Sequence, residues 1–367
     1  MSGAARPLRI SVFGAGSIGC YLGGRLAATG AEVTLIGRER VGAEIRDHGL
    51  RLTDLHGSDI RVAASDIAFD TGPGSAATAD LVVVSVKSAG TPEVGATLAS
   101  AIGPGTVVVS AQNGLGNADT LRAALPGHVV LAAMVPFNVV HRGDGHFHQG
   151  SEGDLEIEQH PAVPAFAPVF ADAGLPLHPH DDFRSVQWAK LLLNLNNPVN
   201  ALSGLPLREE LSRRPFRRAL ALAQREALAL LAARGIAVAK LTPLPPQWIP
   251  RLLTVPDGVF RVAGSRMLAI DPHARSSMWD DLEACRRTEV DWISGEIMRL
   301  AEASGTAAPV NARLVALIRE AEAGGNRQWS GDALLADLRS QRGTQETGRE
   351  TAAQLAGFDR TGAVYVR

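Results

Sequence analysis

This chain of 367 residues has few cysteines, little net charge and no long apolar run. With only two cysteines, Cys20 and Cys285, we expect no disulfide framework and a reducing, cytoplasmic location. The net charge of −2 offers no electrostatic basis for binding nucleic acid or a membrane surface. No apolar run approaches the ~20 residues needed to cross a bilayer, and Met1–Pro7 lacks the character of a signal peptide. We therefore expect a globular protein of ordinary composition that is long enough for two domains.

The stretch Leu8–Arg38 has the pattern of a β-α-β unit, in which a glycine-rich turn joins an apolar run to a helical pattern. The turn has the spacing G-x-G-x-x-G. Gly14 permits a tight turn, Gly16 lets backbone amides approach a pyrophosphate, and Gly19 lets helix and strand pack closely. Unpaired N–H groups at the start of the helix favour phosphate groups. We therefore predict a dinucleotide site that comprises Gly14, Ala15, Gly16, Ser17, Ile18 and Gly19.

The residue at the end of the second strand of this unit indicates which dinucleotide is bound. An NAD-specific unit carries an acidic residue there, which accepts a hydrogen bond from the ribose 2′-hydroxyl. Arg38 occupies this place, and its guanidinium can instead pair with the 2′-phosphate of NADP. The alternative is that Arg38 and Arg40 are ordinary surface charges, with Glu39 between them. We predict NADPH as the cofactor.

Two further apolar runs predict buried parallel strands at Asp80–Val86 and Thr106–Ser110. Lys87 follows the first run, and Asn113 follows the second. Because ligands in such sheets lie beyond the carboxyl ends of the strands, both residues are candidates for binding. The alternating pattern from His128 onwards predicts antiparallel strands at an edge of the sheet.

The pattern becomes mostly helical about halfway along the chain, and we expect three segments. Residues 1–181 form a Rossmann-type NADP-binding domain, residues 182–325 a helical substrate and catalytic domain, and residues 326–367 an accessory C-terminal tail. Two of the predicted helices are long, Phe183–Leu202 and Asp280–Ala303. The predicted fold class is α/β, with a Rossmann-type N-terminal domain followed by a mostly α-helical C-terminal domain.

A polar stripe runs along the predicted helix Phe183–Leu202. Lys190 and Asn194 are four residues apart, and Asn197 follows three residues later on the same face. The leucines between them indicate burial, and buried polar groups need partners. They either form a structural network or line a polar pocket, and the lone lysine favours the pocket. Pro198 is compatible with a kink or a break in this helix.

A second group of polar residues surrounds the start of the predicted helix Asp280–Ala303. Either Ser276 or Ser277 suits the N-cap position. Glu289 lies further along, where it either forms a salt bridge with Arg286 or belongs to a functional site.

The order of these motifs resembles the ketopantoate reductase (2-dehydropantoate 2-reductase) family. The resemblance covers roughly Leu8–Gly324 and rests on the glycine motif together with several further motifs. These are Val86-Lys87-Ser88, Gln112-Asn113-Gly114-Leu115-Gly116, Lys190-Leu191-Leu192-Leu193-Asn194, and Ser276-Ser277-Met278 followed by Thr288-Glu289-Val290-Asp291.

The resemblance implies NADPH-dependent hydride transfer to a 2-keto acid, with 2-dehydropantoate as the foremost candidate, in the biosynthesis of pantothenate and coenzyme A. It implies that Lys190 is catalytic, that Glu289 is its acidic partner, and that Arg38 binds the 2′-phosphate. The implied substrate-binding residues are Asn113, Asn194, Asn197 and Ser277. The further residues implied at the cofactor are Lys87, Asn113 and Glu289. We expect a monomer or a homodimer.

Two departures from the family pattern concern the substrate site. The family's second asparagine would fall at position 198, where this chain has Pro198, so Asn197 takes its place only if the helix end is shifted. Ser277 and Glu289 would be about 18 Å apart along one unbroken helix, at 1.5 Å per residue. No small keto acid spans that distance. Ser277 must therefore fold back toward the ligand or contact a different part of the ligands.

Two alternative functions remain. One is a related NADP-dependent dehydrogenase of the same architecture that acts on another keto or hydroxy acid. The other is a non-catalytic NADPH-binding sensor. The paired histidines, His146 with His148 and His178 with His180, are also compatible with a metal site. Because no neighbouring cysteine or ordered carboxylate completes either set, we expect no bound metal.

Overall fold

The computed structural model describes residues 6–269 and 271–341. Its elements follow the predicted order, in which alternating strands and helices come first and helices follow. Much of the predicted tail, residues 342–367, lies outside the described part of the chain.

The described residues form two compact units. The first unit extends to Leu193 and also includes Ala237–Pro243. The second unit comprises Asn194–Ile236 and the described residues from Leu244 onwards. The domain boundary expected after residue 181 stays a prediction, since the compact units divide the chain a helix later.

The first part of the chain alternates strands with helices and short 3₁₀ turns. The strands are β1 (Arg9–Phe13), β2 (Glu32–Ile36), β3 (Leu50–Thr53), β4 (Asp59–Val62), β5 (Ala68–Asp70), β6 (Leu81–Val84), β7 (Val107–Ser110), β8 (Val129–Met134), β9 (Val139–His141), β10 (His146–Gln149), β11 (Leu155–Glu158) and β12 (Leu177–His180). The helices are α1 (Ser17–Ala27), α2 (Glu39–His48), α3 (Thr91–Ala101), α4 (Asn117–Ala124), α5 (Ala167–Asp172) and α6 (Phe183–Asn194). The 3₁₀ turns are Ala64–Asp66, Gly74–Thr78, Ser88–Gly90 and Val163–Ala165.

An eight-stranded sheet with the order β12-β11-β8-β7-β6-β1-β2-β5 forms the centre of the first unit. In this order, the six strands β8, β7, β6, β1, β2 and β5 are parallel to one another. Strand β11 pairs antiparallel with β8, and β12 pairs in parallel with β11. The edges are short: β5 has three residues, and β12 contains Pro179. The predicted parallel core with an antiparallel edge is confirmed.

Both faces of this sheet are covered, which is why its strands read as continuous apolar runs. All four residues of β6 are buried. Val83 packs into a hydrophobic cluster that includes Leu26 of α1. Val82 and Val84 point to the other face and pack into a cluster that includes Leu98 of α3.

A separate four-stranded sheet has the order β4-β3-β10-β9. Strand β10 pairs in parallel with β3, with His146 opposite Arg51, and antiparallel with β9. The expectation for the chain beyond His128 is confirmed for β11, which is antiparallel to β8. It is wrong in two respects, because β8 runs parallel to β7 and because β9 and β10 belong to this second sheet. Local alternation carries no information about a partner strand so distant in sequence.

The second unit is built from helices. They are α7 (Asn196–Ser203), α8 (Leu207–Ser212), α9 (Arg214–Ala233), α10 (Ile249–Leu253), α11 (Asp257–Ala263), α12 (Ser277–Glu283), α13 (Ser294–Glu302), α14 (Pro309–Glu322) and α15 (residues 331–341). The 3₁₀ turns are Pro246–Trp248, Ser265–Leu268 and Val290–Trp292. None of the described helices is long and apolar enough to cross a membrane.

Helix α9 carries a fully buried arginine, Arg217, which ties three neighbouring segments to it. Its guanidinium donates to the carbonyl oxygens of Leu211 at 3.0 Å and Leu253 at 3.2 Å. It also donates to the carbonyl oxygen of Val255 at 3.0 Å and forms an ion pair with Asp257 at 2.8 Å. Because a buried guanidinium is costly unless it is hydrogen-bonded, these partners explain how Arg217 is accommodated.

The predicted helix Phe183–Leu202 is two helices, α6 and α7, which are separated at Leu195. Pro198 explains the break. In a continuous helix its ring would clash with the carbonyl of Asn194, four residues earlier, and it has no N–H to donate. Helix α6 therefore ends at Asn194, and Pro198 lies in the first turn of α7.

The predicted helix Asp280–Ala303 is also interrupted, by the segment between α12 and α13. Cys285 has a φ of 51°, in the left-handed region. The N–H of Cys285 donates to the carbonyl of Leu282 at 3.2 Å, and the N–H of Arg286 donates to that of Asp281 at 2.8 Å. These two bonds form a Schellman motif, which ends α12. The 18 Å separation expected from one unbroken helix therefore does not apply.

The described part of the predicted tail packs into the second unit. Leu334, Leu335 and Leu338 of α15 are between 0% and 4% exposed. Asp337 of α15 pairs with Arg313 of α14 through two contacts, of 2.8 and 3.1 Å. The predicted helical patch at Ala333–Leu338 is confirmed as part of this longer helix.

Candidate active site

The glycine motif forms the turn between β1 and α1. Gly14 has a φ of +117°, and a Cβ at this position would lie 2.7 Å from the backbone nitrogen of Val86. A Cβ on Gly19 would lie 2.1 Å from the carbonyl oxygen of Gly14, so a larger residue would push α1 away from the sheet. A Cβ on Gly16, by contrast, would meet nothing within 4 Å. The turn thus packs tightly at Gly14 and Gly19 and leaves space beside Gly16, where the G-x-G-x-x-G motif positions a pyrophosphate.

The start of α1 is suited to an anion. Its first N–H groups have no acceptor within the helix, and they belong to Ser17, Ile18 and Gly19. The first turn of α1 contains no acidic residue that would neutralise this positive end. Ala15 is buried against Gly37, where a Cβ would lie 2.6 Å from the Cβ of Ala15. The predicted cofactor residues of the glycine motif therefore form one cradle with its amide groups at the helix end.

Arg38 is the N-cap residue of α2, directly beyond the carboxyl end of β2. Its side chain is exposed, and within the described ranges its guanidinium has no ion-pair partner. Glu39, which kept open the interpretation of ordinary surface charges, forms an ion pair with Arg46. The acidic neighbour is therefore paired elsewhere, and the guanidinium of Arg38 can bind a phosphate.

The loops that follow β6 and β7 are joined by hydrogen bonds. The hydroxyl of Ser88 donates to the carbonyl oxygen of Asn113 at 3.1 Å, and the amide of Asn117 donates to the hydroxyl of Ser88 at 3.1 Å. Thr91 donates to Asn117 at 2.7 Å. Lys87 and Asn113 are thus held together beyond the carboxyl ends of β6 and β7. Sequence reasoning missed Thr91 and Asn117, since these partners are 26 positions apart.

Lys190, on α6, reaches this edge as well. Its Nζ donates a hydrogen bond to the carbonyl oxygen of Pro136 at 3.1 Å, just beyond the carboxyl end of β8. Arg184, one turn and a half earlier on α6, donates at 2.6 Å to the carbonyl oxygen of Leu115, in the loop that contains Asn113. Because β6, β7 and β8 are parallel, these contacts bring Lys190 and Asn113 to one edge of the sheet.

Burial lowers the pKa of Lys190 to about 8, from 10.5. Among the described contacts, its ammonium group bonds to a backbone carbonyl and not to Asn194 or Asn197, the other residues of the predicted stripe. Asn194 is the last residue of α6, and Asn197 lies beyond the break at Leu195. A lysine with a pKa of about 8 is suited to proton transfer, because its ammonium form predominates at pH 7 and releases its proton more readily than that of an exposed lysine.

In the second unit, α7 and α12 are joined beside Asn197 and Ser277. The N–H of Ser276 donates to the side-chain oxygen of Asn200 at 2.9 Å. The hydroxyl of Ser276 donates to the carbonyl oxygen of Asn197 at 3.4 Å and accepts from the N–H of Trp279 at 3.2 Å. The N-cap prediction is confirmed for Ser276. Ser277 is the first residue of α12 and is exposed.

Glu289 directly precedes a 3₁₀ turn and is half-buried. Its position is set by Thr288, whose N–H and hydroxyl both donate to the carboxylate of Glu322 at 2.8 Å. Arg286, the alternative partner considered from the sequence, lies 3.4 Å from the carboxylate of Asp281. The structure thus fixes the backbone next to Glu289 and gives Arg286 a different partner.

The histidines of β12 are paired with one carboxylate directly before β11 and one within it. His178 lies 3.2 Å from Asp154, and His180 is hydrogen-bonded to Glu156. Sequence reasoning missed these carboxylates, because the parallel pairing of the two strands is what brings them close. Within residues 6–269 and 271–341, no group of three or more His, Cys, Asp or Glu side chains is arranged to hold a metal ion.

A parallel sheet with a glycine-motif cradle at its carboxyl edge defines the class of dinucleotide-binding α/β proteins. Comparison with protein families places the chain within this class. A model described as ketopantoate reductase PanE/ApbA matches residues 10–162, and the model of the C-terminal part of that family matches residues 182–322. The chain belongs to the ketopantoate reductase family, whose members are oxidoreductases.

Individual relatives are similar over nearly their whole length. The 2-dehydropantoate 2-reductase of Halobacterium salinarum is 30% identical over 328 residues, which are 87% of this chain and 100% of that protein. The crystal structure of a ketopantoate reductase from Ralstonia eutropha JMP134 is 31% identical, with a TM-score of 0.73 over 86% of this chain and 99% of that one. A D-mandelate dehydrogenase structure with NADH and anilino(oxo)acetate, 20% identical, shares the fold with a TM-score of 0.71 over 86% of this chain and 99% of that one.

Proposed function

We propose that this protein reduces a 2-keto acid with NADPH, and that the acid is 2-dehydropantoate, which becomes pantoate. The observation that carries the proposal is the ammonium group of Lys190, with a pKa lowered to about 8, at the sheet edge that also holds Asn113. The names of the curated relatives from Halobacterium salinarum and Pyrococcus abyssi support this substrate. The product would enter the biosynthesis of pantothenate and coenzyme A.

The proposed roles follow from the chemistry of each side chain. NADPH, when bound, supplies the hydride. Lys190 donates a hydrogen bond to the keto oxygen and then transfers a proton to the alkoxide that develops there. Glu289 is the acidic group that would orient the substrate hydroxyl. The amides and hydroxyl that bind the rest of the substrate belong to Asn113, Asn194, Asn197 and Ser277.

The residues of the glycine motif fit a dinucleotide. The amide groups at the start of α1 would bind its pyrophosphate, beside the open face of Gly16. Arg38 would bind the 2′-phosphate bidentately, which favours NADPH over NADH. Lys87, Asn113 and Glu289 would approach the cofactor from the other loops.

The direct test is NADPH oxidation by the full chain with 2-dehydropantoate and with a panel of small, branched and aromatic 2-keto acids. We expect the highest kcat/KM with 2-dehydropantoate. A higher kcat/KM with another acid would identify the protein as a related dehydrogenase. Binding of NADPH with no oxidation by any acid would favour the sensor.

The cofactor assignment has a separate test at Arg38. Loss of its charged hydrogen bonds in Arg38→Ala should cost about 1.5–3 kcal/mol, on the order of 10- to 150-fold in the Kd of NADPH, without changing the Kd of NADH. Arg40→Ala is the matched control, because Arg40 is an exposed arginine two residues away. The assignment is wrong if the ratio of the two dissociation constants is the same in Arg38→Ala as in the wild type.

A further inference from the structure

The chain beyond residue 322 lies outside the matched family model, yet its described part contacts elements that carry predicted substrate residues. We call residues 325–341 the brace. Helix α14 ends at Glu322, and two residues later Gly324 has a φ of +90°, where the chain turns toward α12 and α7. The side chain of Asn326 accepts from the N–H of Gln328 at 3.0 Å and shapes this turn.

One contact of the brace is with the C-terminal end of α12. Nη1 of Arg327 donates to the carbonyl oxygen of Leu282 at 3.1 Å, and Nη2 forms an ion pair with Glu283. Leu282 and Glu283 are the last two residues of α12. A cation at a helix C-terminus stabilises the helix, because it interacts with the negative end of the macrodipole.

The other contact is with the C-terminal end of α7. The backbone N–H of Trp329 donates to the carbonyl oxygen of Leu202 at 2.8 Å. Leu202 lies in the last turn of α7, where the carbonyl oxygens accept no hydrogen bond from within the helix. The brace therefore connects the C-terminal ends of the two helices, whereas Ser276 connects them beside Asn197 and Ser277.

Both helices depend on such contacts for their positions. Helix α7 has eight residues and α12 has seven, and isolated helices of this length are not stable in water. An open pocket of about 630 Å³ lies between their C-terminal ends and the brace. The residues that line it include Gly204, Trp279, Glu283, Asn326 and Arg327. At these ends the hydrogen bonds of the brace act together with the packing of the buried side chains of Leu202 and Leu282.

We propose that Arg327 is a positioning residue, which holds α12 directly and supports the contact of Trp329 with α7, and thereby sets the affinity for the keto acid. This inference rests on the proposed function, because Asn197 and Ser277 lie on these helices. When Arg327 is removed, the helices must be ordered at the moment of substrate binding, which lowers the affinity. The proposed proton donor, Lys190, belongs to the first unit, whereas the brace belongs to the second.

The test compares KM with kcat in the full chain. In Arg327→Ala we expect the KM for the keto acid to rise about 3- to 30-fold, the usual range for residues that act at a distance. We expect kcat and the Kd of NADPH to stay within about twofold. Glu283→Gln removes the same ion pair from the side of α12 and should raise KM in the same way, and Arg327→Lys should restore part of the loss.

Asp337→Asn is the matched control. Asp337 also lies in the brace, and the variant loses an ion pair with Arg313, which belongs to α14 and not to α7 or α12. We expect this variant to lower the melting temperature without raising KM. If Asp337→Asn and Arg327→Ala raise KM equally, the brace acts only through general stability and the proposal is wrong.

Amide hydrogen exchange provides a readout that does not depend on the substrate. Faster exchange in α7 and α12 is expected for Arg327→Ala and not for Asp337→Asn. If the wild type reduces none of the 2-keto acids, the proposed function fails, and the exchange data still decide whether Arg327 positions the helices. Unchanged exchange in α7 and α12 of Arg327→Ala would overturn the inference.

Discussion

The ammonium group of Lys190 determines how the reaction should respond to pH. Its pKa is lowered to about 8 by burial, and only the protonated form can donate. We therefore expect kcat to be constant below about pH 7 and to fall about tenfold per unit above pH 8. A pH–rate profile at saturating substrate checks this. A rate that stays constant from pH 7 to 10 would exclude Lys190 as the proton donor.

Substitutions at Lys190 separate its chemical role from a structural one. Lys190→Ala should lower kcat by about 10²–10⁴, the usual contribution of a general acid, with little change in the Kd of NADPH. In a purely structural role, the melting temperature would fall and the turnover of each folded molecule would be unchanged. Lys190→Arg keeps the positive charge but releases a proton poorly, so near-normal turnover in this variant would reduce Lys190 to an electrostatic role.

Among the elements, those defined by neighbouring residues could be predicted and those defined by distant contacts could not. The β-α-β unit was predictable because the glycine spacing, the apolar runs and the helical pattern lie within one short stretch. The contact between Lys190 and Pro136 joins residues 54 positions apart, and that between Arg327 and Glu283 joins residues 44 apart. Local patterns contain no signal for such pairs.

The ends of helices show the same limit. Pro198 is visible in the sequence as a helix breaker, but the break falls at Leu195, because the proline clashes with a carbonyl four residues earlier. The end of α12 has no such marker. Cys285 adopts the left-handed conformation that glycine usually supplies, so the sequence favours continuation of the helix where the structure ends it.

This helix end gives a prediction about stability. Cys285→Gly should raise the free energy of unfolding by about 0.5–1 kcal/mol, because relief of the left-handed strain exceeds the added entropy of the unfolded chain. Urea unfolding measures the change. Cys285→Ala is the control, since alanine keeps the strain while removing the thiol. Equal stability of the glycine and alanine variants would contradict the strain at Cys285.

For the whole molecule, the buried carboxyl group of Glu210 should make stability depend on pH. Glu210 is 0% exposed and accepts a hydrogen bond from Asn196 at 3.0 Å. Burial raises its pKa to about 8 from 4.5, although Asn196, Asn200 and Arg217 act in the opposite direction. Between these values the folded chain keeps a proton that the unfolded chain has released. Stability is therefore lost as pH rises from about 4.5 to 8, by up to about 1.4 kcal/mol per unit.

Urea unfolding of Glu210→Gln at several values between pH 5 and 8 tests this dependence. The variant cannot ionise at this position, so its free energy of unfolding should rise relative to that of the wild type as pH increases. Glu209→Gln is the matched control, because Glu209 is adjacent and exposed. The range stops at pH 8 because Lys190 acts in the opposite direction between its folded pKa and 10.5. Parallel curves for Glu210→Gln and the wild type would show that Glu210 is already ionised.

The two edge strands of the eight-stranded sheet affect how copies of this chain behave at high concentration. A long, regular outer strand is a template to which another polypeptide can add, and fibrous aggregation begins this way. Here one edge strand, β5, is only three residues long. The other, β12, contains Pro179, which has no N–H to donate to an incoming strand. In the folded protein, both edge strands of this sheet are therefore poor templates for an added strand.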